Sequence, residues 1–413
     1  MQKAVQNITE FQKEIKKTLS AKTTEIIDSL LEGAMALNAS DLHLEPAEEE
    51  TKIRIRVDGI LQDVITIEAA VYQALLSRIK LLSGIKMNVT DKPQDGRFSI
   101  ALPHDAEIRT STLPAEHGET VVMRILNPKS LIEIEALGLR KDLLALFTKE
   151  LKKPNGMIIV TGPTGSGKTT TLYAFLKKVQ KTEIKIITIE DPIEYHLNGI
   201  SQTQVNSSKG YDFASGLKSI MRQDPDVILV GEVRDLETAQ TALQAALTGH
   251  LVFTTLHTND AAGTIARLIS LGADATNIGP AVNVAIAQRL VRKICRHCGK
   301  MSKAAPADLK KIKAALKEMP KIAQLPSFIK DIKLPKPQGC KECNSTGFLG
   351  RVGIFEAFQV DDEMEKYILT RPSIAALRSM AIKKGMVTMK QDGILKVING
   401  ITTLEEVERI VGE

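Results

Sequence analysis

The fold is decided by the stretch Met157-Ile158-Ile159-Val160-Thr161-Gly162-Pro163-Thr164-Gly165-Ser166-Gly167-Lys168-Thr169-Thr170. Its first five residues are a continuous, mostly apolar run, which predicts a strand buried on both faces of a parallel sheet. A Gly-x4-Gly-Lys-Thr spacing follows, and a helical pattern begins near Lys168. Backbone N–H groups of such a loop converge at the helix N-terminus, where they bind phosphate. A chance glycine-rich turn is the alternative, but it would not explain a strand and a helix in the right order.

The predicted phosphate-binding loop assigns a task to each of its polar side chains. We expect Lys168 to neutralise the β- and γ-phosphates of ATP and the Thr169 hydroxyl to bind Mg²⁺. The expected nucleotide-binding residues are consecutive: Gly162, Pro163, Thr164, Gly165, Ser166, Gly167, Lys168, Thr169 and Thr170.

Outward from the loop, three more apolar runs predict further strands of the same sheet: Ile184–Ile189, Val227–Val230 and Leu251–Leu256. Helical segments begin between them, near Phe213 and Leu236. Each run is followed by a polar residue, and these three are Glu190, Glu232 and His257. Ligands of open α/β sheets bind outside the carboxyl ends of the strands, so we expect all three around the γ-phosphate. Glu232 would polarise the attacking water, Glu190 would position water or Mg²⁺, and His257 would sense the γ-phosphate. A helix-capping acid and a structural histidine are the plainer alternatives.

The sequence before the loop mixes helix and strand patterns, which predicts a small α+β domain. An amphipathic helix begins near Thr23, and a second helix is expected around Tyr72–Leu82. The predicted strands are short and alternate polar with apolar residues: Asp41–Pro46, Lys52–Val57, Arg97–Leu102, Glu107–Leu113 and Thr120–Leu126. Arg97 and Arg109 lie on two of these strands. Taken alone they are solvated surface residues, and only an oligomer would bring them to a phosphate.

Four cysteines form two Cys-x2-Cys pairs, Cys295 with Cys298 and Cys340 with Cys343. Two such turns supply four thiolates to a structural Zn²⁺ when they meet in space. Reduced, unligated cysteines are the alternative.

The composition excludes several classes of protein. Charged residues make up 25% and hydrophobic residues 43% of 413 residues, an ordinary globular balance. Aromatic residues are only 4%, so stacking platforms for single-stranded nucleic acid are sparse. No apolar run reaches the roughly 18–20 residues that span a bilayer, and the N-terminus has no signal-peptide core. A cytoplasmic protein is expected.

Longer motifs resemble the secretion ATPase superfamily, specifically the type II secretion and type IV pilus assembly ATPases. Besides the loop, four segments carry this resemblance: Ala39–Pro46 with Arg54–Gly59, Ile187–Tyr195, Arg222–Asp235, and Gly249–His250 with Leu256–Thr258. The resemblance implies a homohexamer of two-domain subunits, a PAS-like domain followed by a RecA-like one. It also implies that arginines of the first domain, at the places of Arg97 and Arg109, reach the nucleotide phosphates. Asp226 precedes its strand, so Glu232 is the acidic residue expected to act.

The expected architecture is an α/β protein divided as follows: an N-terminal helix or tail (1–20), a PAS-like domain (21–128), a linker (129–140), a RecA-like core (141–290), a tetracysteine metal-binding segment (291–354) and a helical C-terminal subdomain (355–413). The expected cofactors are ATP, Mg²⁺ and Zn²⁺. Within the family that the sequence resembles, assembly ATPases carry such a tetracysteine segment. The resemblance therefore implies an assembly ATPase that acts on an inner-membrane platform protein from the cytoplasmic side, and we expect no direct nucleic-acid binding.

Three alternatives stay open at this stage: a pilus retraction ATPase, a DNA-translocating ATPase of the same superfamily, and a non-hydrolysing scaffold. Assembly ATPases of the family that this sequence resembles usually carry a further N-terminal docking domain. In this sequence only about twenty residues precede the first matched helix.

Overall fold

The computed structural model describes residues 5–101, 106–126, 132–317, 319–320 and 332–412. These residues form two compact units. The first unit takes the described residues of Met1–Ser130, Cys295–Gly299 and Pro337–Gly350, and the second takes the described residues of the remaining chain. Both cysteine-bearing turns therefore group with the first unit. The predicted boundary between residues 128 and 129 lies outside the described residues.

The first unit contains a six-stranded sheet in the order β3-β2-β1-β6-β5-β4, with antiparallel pairing throughout. Its strands are β1 (Asp41–Pro46), β2 (Glu50–Val57), β3 (Ile60–Glu68), β4 (Gln94–Ile100), β5 (Ala106–Ala115) and β6 (Gly118–Leu126). Its helices are α1 (Ile8–Thr18), α2 (Thr23–Ala36) and α3 (Ala69–Leu82). Alternation along the strands places one face of the sheet in a core shared with these helices, which includes Leu30, Leu42, Ile108 and Val121.

The second unit contains a seven-stranded sheet in the order β15-β12-β7-β11-β10-β8-β9. The bounds of these strands are β7 (Gly156–Thr161), β8 (Ile186–Glu190), β9 (Ser201–Gln204), β10 (Val227–Val230), β11 (Leu251–Leu256), β12 (Val282–Ile294) and β15 (Phe348–Gln359). Pairing from β12 to β9 is parallel. Every residue of β7, β8, β10 and β11 is buried, which explains why these strands are nearly continuous apolar runs.

The described part of the second unit also contains eleven α-helices and one hairpin. The described helices are α4 (Lys141–Glu150), α5 (Lys168–Val179), α6 (Phe213–Ile220), α7 (Leu236–Leu247), α8 (Ala261–Ser270), α9 (Ala275–Ala281), α10 (Pro306–Lys317), α11 (Asp362–Leu369), α12 (Ile374–Lys383), α13 (Met389–Ile398) and α14 (Leu404–Val411). The hairpin pairs β13 (Lys300–Lys303) with β14 (Lys333–Lys336). The predicted helix starts at Lys168, Phe213 and Leu236 agree with the structure.

Sequence analysis missed β3 for a local reason. Ile53 pairs with Ile65 but Arg54 pairs with Asp63, so Val64 is the extra residue of a bulge. A bulge breaks the period-two alternation by which a half-buried strand is recognised.

Two expectations near the C-terminal end were wrong. The predicted end of the core at residue 290 falls inside β12, which continues to Ile294. The helical subdomain does not begin at Phe355, because that residue is buried within β15. The run from Ile354 to Phe358 is short and apolar, and periodicity does not separate a buried strand from a buried helix at that length.

The buried carboxylate of Glu406 links helix α14 to β12. Glu406 accepts hydrogen bonds from the backbone and side chain of Arg292 and from the side chain of Arg409. Burial raises the pKa of Glu406, but the hydrogen bonds from Arg409 and Arg292 outweigh burial and hold the pKa at about 2.

We predict that Glu406→Gln destabilises the protein at pH 7. The difference in free energy of unfolding between this variant and wild type should become smaller as the pH falls. A depressed carboxyl pKa gives stability above the unfolded value near 4.5, and that stability is lost as pH falls towards about 2. At pH 7 the substitution removes the buried charge that Arg292 and Arg409 share, which costs on the order of 3 kcal/mol. Urea unfolding of both proteins at pH 7, 4 and 3 measures this difference in free energy of unfolding. The exposed Glu405→Gln on the same helix is the control, and a constant gap for Glu406→Gln would contradict the prediction.

Candidate functional site

The predicted phosphate-binding loop connects the end of β7 to the start of α5. A Cβ added at Gly162 would lie 2.6 Å from the carbonyl oxygen of Gln288, so only glycine fits there. Gly167 has a φ of +87° and precedes α5 without a side-chain cap. The first N–H groups of α5 are therefore open to an anion in front of the helix.

Two side chains of the loop show what it would hold. The Lys168 Nζ donates to the carbonyl oxygens of Gly162 at 2.7 Å and Pro163 at 3.2 Å. Burial lowers the pKa of Lys168, the charge of Glu232 opposes that shift, and Arg289 adds to it. The Ser166 hydroxyl is buried and has no hydrogen-bond partner among the described residues. A cation beside an orphan hydroxyl and an open helix N-terminus fits the phosphates of a nucleotide.

Glu232 and His257 meet at the same sheet edge. The Glu232 Oε2 lies 3.3 Å from the His257 Nε2, and the Glu232 Oε1 accepts a hydrogen bond from Arg234. Arg234 also lies 3.7 Å from the Asp191 Oδ2. The structure thus brings together the side chains of Lys168, Glu232 and His257. Arg234 belongs to the same cluster, and sequence analysis did not single it out.

Glu190 ends β8 as expected, but its carboxylate is buried and fully engaged. The Oε1 accepts from the Thr188 hydroxyl at 2.6 Å and from the Gln202 amide at 3.2 Å, while the Oε2 accepts from the Tyr173 hydroxyl. Burial raises the pKa of Tyr173, and the neighbouring Glu190 charge raises it further. This network ties α5, β8 and β9 together beneath the loop.

A second link joins the loop strand to its neighbour β11. The Thr161 hydroxyl donates to the Leu256 carbonyl at 2.9 Å and accepts from the Thr258 N–H at 2.8 Å. The residues on either side of His257 are therefore fixed to the last residue of β7. The sequence carried no signal for this contact, since threonines are common in strands for other reasons.

Arg97 and Arg109 belong to the first unit, where they are cross-strand neighbours. Arg97 on β4 is opposite Arg109 on β5, and Arg109 is opposite Arg124 on β6. Glu107 lies 4.0 Å from Arg97 and 3.7 Å from Arg109. Like charges directly opposite each other destabilise a sheet, and here Glu107 and, for Arg124, Asp41 at 3.2 Å offset that repulsion. Strand register was needed to find Arg124.

The four cysteines converge in the first unit. Their Sγ atoms all lie within 4.8 Å of one another, and all four thiols are free. Sγ–Sγ distances of 3.8 Å (Cys295–Cys340), 3.7 Å (Cys298–Cys343) and 3.6 Å (Cys340–Cys343) are far from the roughly 2.05 Å of a disulfide. Zinc–thiolate bonds of about 2.3 Å in a tetrahedron place sulfurs about 3.8 Å apart, which matches these edges.

Backbone donors prepare this cluster for a cation. Burial raises the pKa of Cys343, but hydrogen bonds from the N–H groups of Cys340 and Gly347 outweigh burial and leave the pKa at about 7. The cluster is also anchored within the first unit, since Gly350 donates to the Asp58 carboxylate at 2.7 Å.

Comparison with known proteins identifies the family. The family model for "Type II/IV secretion system protein" matches residues 16–409. Type II secretion system protein E of Xanthomonas campestris pv. campestris is 41% identical, over 94% of this chain and 67% of its own length. The type II secretion system ATPase E of Vibrio cholerae is 42% identical, over 95% and 76%. The type IV pilus assembly ATPase PilB of Thermus thermophilus is 41% identical, over 93% of this chain and only 42% of its own length.

Solved structures agree with the fold. The pilus retraction motor PilT, solved with bound ADP, is 26% identical with a TM-score of 0.62, over 93% of this chain and 96% of that one. The ATPase DotB of Legionella pneumophila, at 22% identity and a TM-score of 0.66 over 93% and 95%, shows the fold alone.

The protein therefore belongs to the type II/IV secretion system family, and the resemblance noted in the sequence is confirmed. Within that family, its 40–42% identical relatives carry the names of type II secretion proteins and of type IV pilus assembly ATPases. No helix in the described part of the chain is long and apolar enough to cross a membrane.

Proposed function

We propose that this protein is a motor that hydrolyses ATP to drive assembly of a type IV pilus or a type II secretion pseudopilus. The observation that carries the proposal is the grouping of Lys168, Glu232 and His257 with the phosphate-binding loop at one sheet edge. The names of the most similar relatives supply the process.

The loop residues have complementary tasks in this proposal. The backbone from Gly162 to Thr170 surrounds the phosphates, with Lys168 turned from loop carbonyls to the β- and γ-phosphates when ATP binds. The Thr169 hydroxyl binds Mg²⁺, which neutralises charge developing on the phosphate oxygens. Glu232 accepts the proton of the attacking water, and His257 contacts the γ-phosphate.

In this proposal Glu190 has a positioning role. Its two oxygens are occupied by Tyr173, Thr188 and Gln202, so it holds α5 and β8 in place, and water or Mg²⁺ is positioned through that frame.

The fold assignments of the two units are also part of the proposal. The second unit, with its parallel sheet and phosphate-binding loop, is RecA-like, and the antiparallel first unit is PAS-like. We infer a homohexamer in which Arg97 and Arg109 reach nucleotide phosphates and stabilise the charge of phosphoryl transfer. The cycle of hydrolysis would move an inner-membrane platform protein from the cytoplasmic face.

Glu232→Gln should lower the ATPase rate by about 10²–10⁴-fold while ATP binding persists, because the amide cannot accept a proton. Hydrolysis is measured by phosphate release and binding by fluorescent ATP, each with and without DNA. Asp226→Asn is the matched control, since Asp226 precedes the strand and its side chain accepts the Lys185 N–H, which an amide oxygen also accepts. Full activity in Glu232→Gln would refute its role, and strong stimulation by DNA would favour the DNA-translocating alternative.

Arg97→Ala and Arg109→Ala should each slow hydrolysis at least roughly tenfold and weaken ATP binding much less, because arginine stabilises the transition state most. The exposed Lys52→Ala on β2 of the same sheet is the control. An equal loss of binding and of rate would mean that the arginines bind the ground state only.

Zinc should copurify at one ion per chain, and Cys298→Ser should release it and lower the melting temperature, because a structural zinc site contributes folding free energy. Metal analysis and thermal unfolding measure both effects. Glu342→Gln, which lies between Cys340 and Cys343 and leaves all four thiols intact, should keep the metal. Wild-type protein without zinc would disprove the tetrathiolate site.

A further inference from the structure

Gln288 is a buried amide that contacts the phosphate-binding loop from β12. It is only 1% exposed. Its Nε2 donates to the Ser166 carbonyl at 2.6 Å, and its Oε1 accepts from the Thr171 hydroxyl at 2.7 Å. Because a carbonyl only accepts, the amide has one orientation that satisfies both contacts. Nothing in the established or proposed chemistry above uses this residue.

The two contacts bracket the residues that would hold phosphate and metal. Ser166 precedes Gly167, and Thr171 lies in the first turn of α5, so the amide spans the four residues from Gly167 to Thr170. A Cβ on Gly167 would lie 3.1 Å from the Gln288 Nε2, which shows how closely the amide supports the loop backbone.

The planarity of the peptide bond makes the Ser166 contact directional. In a trans peptide the C=O and the following N–H point in opposite directions. Holding the Ser166 carbonyl against Gln288 therefore aims the Gly167 N–H away from the Gln288 amide. Within the described residues that N–H donates to no acceptor. An N–H fixed in this way costs no reorganisation when an anion arrives.

We propose that Gln288 is a positioning residue that sets the Gly167 N–H for the β-phosphate of a bound nucleotide. The inference rests on the proposed nucleotide-binding function of the loop. Gln288 acts through the Ser166–Gly167 peptide, so it affects ADP and ATP alike, and the Thr171 hydroxyl serves mainly to hold the amide in its orientation.

Gln288→Met, which keeps the length of the side chain and removes both polar atoms, tests the proposal in the full chain. The affinity for a fluorescent ADP analogue should fall roughly tenfold, from loss of a hydrogen bond in a buried site. The KM for ATP should rise by a similar factor with a smaller change in kcat, because the contact is made in the ground state and the transition state alike.

Gln391→Met is the matched control, because Gln391 makes the same kind of contacts elsewhere in the second unit. It is 6% exposed, accepts from the Thr388 N–H at 3.0 Å and donates to the Ala315 carbonyl at 3.2 Å. Both substitutions should lower the melting temperature, but only Gln288→Met should weaken ADP binding. Equal weakening by both would reduce Gln288 to a general stability residue and overturn the proposal.

Two further variants separate the contacts and guard against misfolding of Gln288→Met. Gln288→Glu still accepts from Thr171 but has no donor for the Ser166 carbonyl, so it should bind ADP as weakly as Gln288→Met or more weakly. Thr171→Val should bind ADP within about threefold of wild type, since one of the two contacts remains. Wild-type affinity in Gln288→Glu would overturn the inference alone, whereas a wild-type protein that binds no ADP would overturn the proposed function as well.

Discussion

The parallel pairing of β7, β8, β10 and β11 is the constraint on which the rest of the site depends. Parallel strands end at the same edge of a sheet, so residues far apart in sequence meet wherever their strands end. The loop follows β7, Glu232 follows β10 and His257 follows β11. Burial of these strands on both faces fixes their order and register, because exposing any one of them would leave apolar side chains in water. Packing of the strands therefore determines where the polar side chains of the site lie.

In the proposed function, the charges at this edge exchange partners when a nucleotide binds. Lys168 donates to loop carbonyls, and Glu232 is held by Arg234 near His257. Each group already has a partner, so none is left as an isolated, desolvated charge. Phosphate oxygens are stronger acceptors for Lys168 than carbonyls are, and they would displace those contacts without moving the backbone. In the proposed mechanism, Glu232 would exchange its contact with Arg234 for one with the attacking water.

The sequence predicted the elements that depend on local pattern and failed where the pattern was interrupted. The buried strands, the starts of α5, α6 and α7 and the convergence of the cysteines were predicted, because runs, caps and paired turns are local signals. The bulge at Val64 hid β3, and the short apolar run through Phe355 did not reveal β15. Arg124 could not be found from sequence either, because its place beside Arg109 depends on the register of β5 and β6.

The frame of the loop lies outside the phosphate-binding motif itself. β7 lies between β11 and β12, and both neighbours contact it or its loop: Thr258 follows β11 and binds Thr161, while Gln288 in β12 binds Ser166. These partners are separated by 97 and 122 positions in the chain. A glycine-rich loop has high conformational entropy by itself, so its glycines permit the phosphate-binding conformation without enforcing it. The motif therefore specifies which groups can bind phosphate, and the neighbouring strands specify where those groups point.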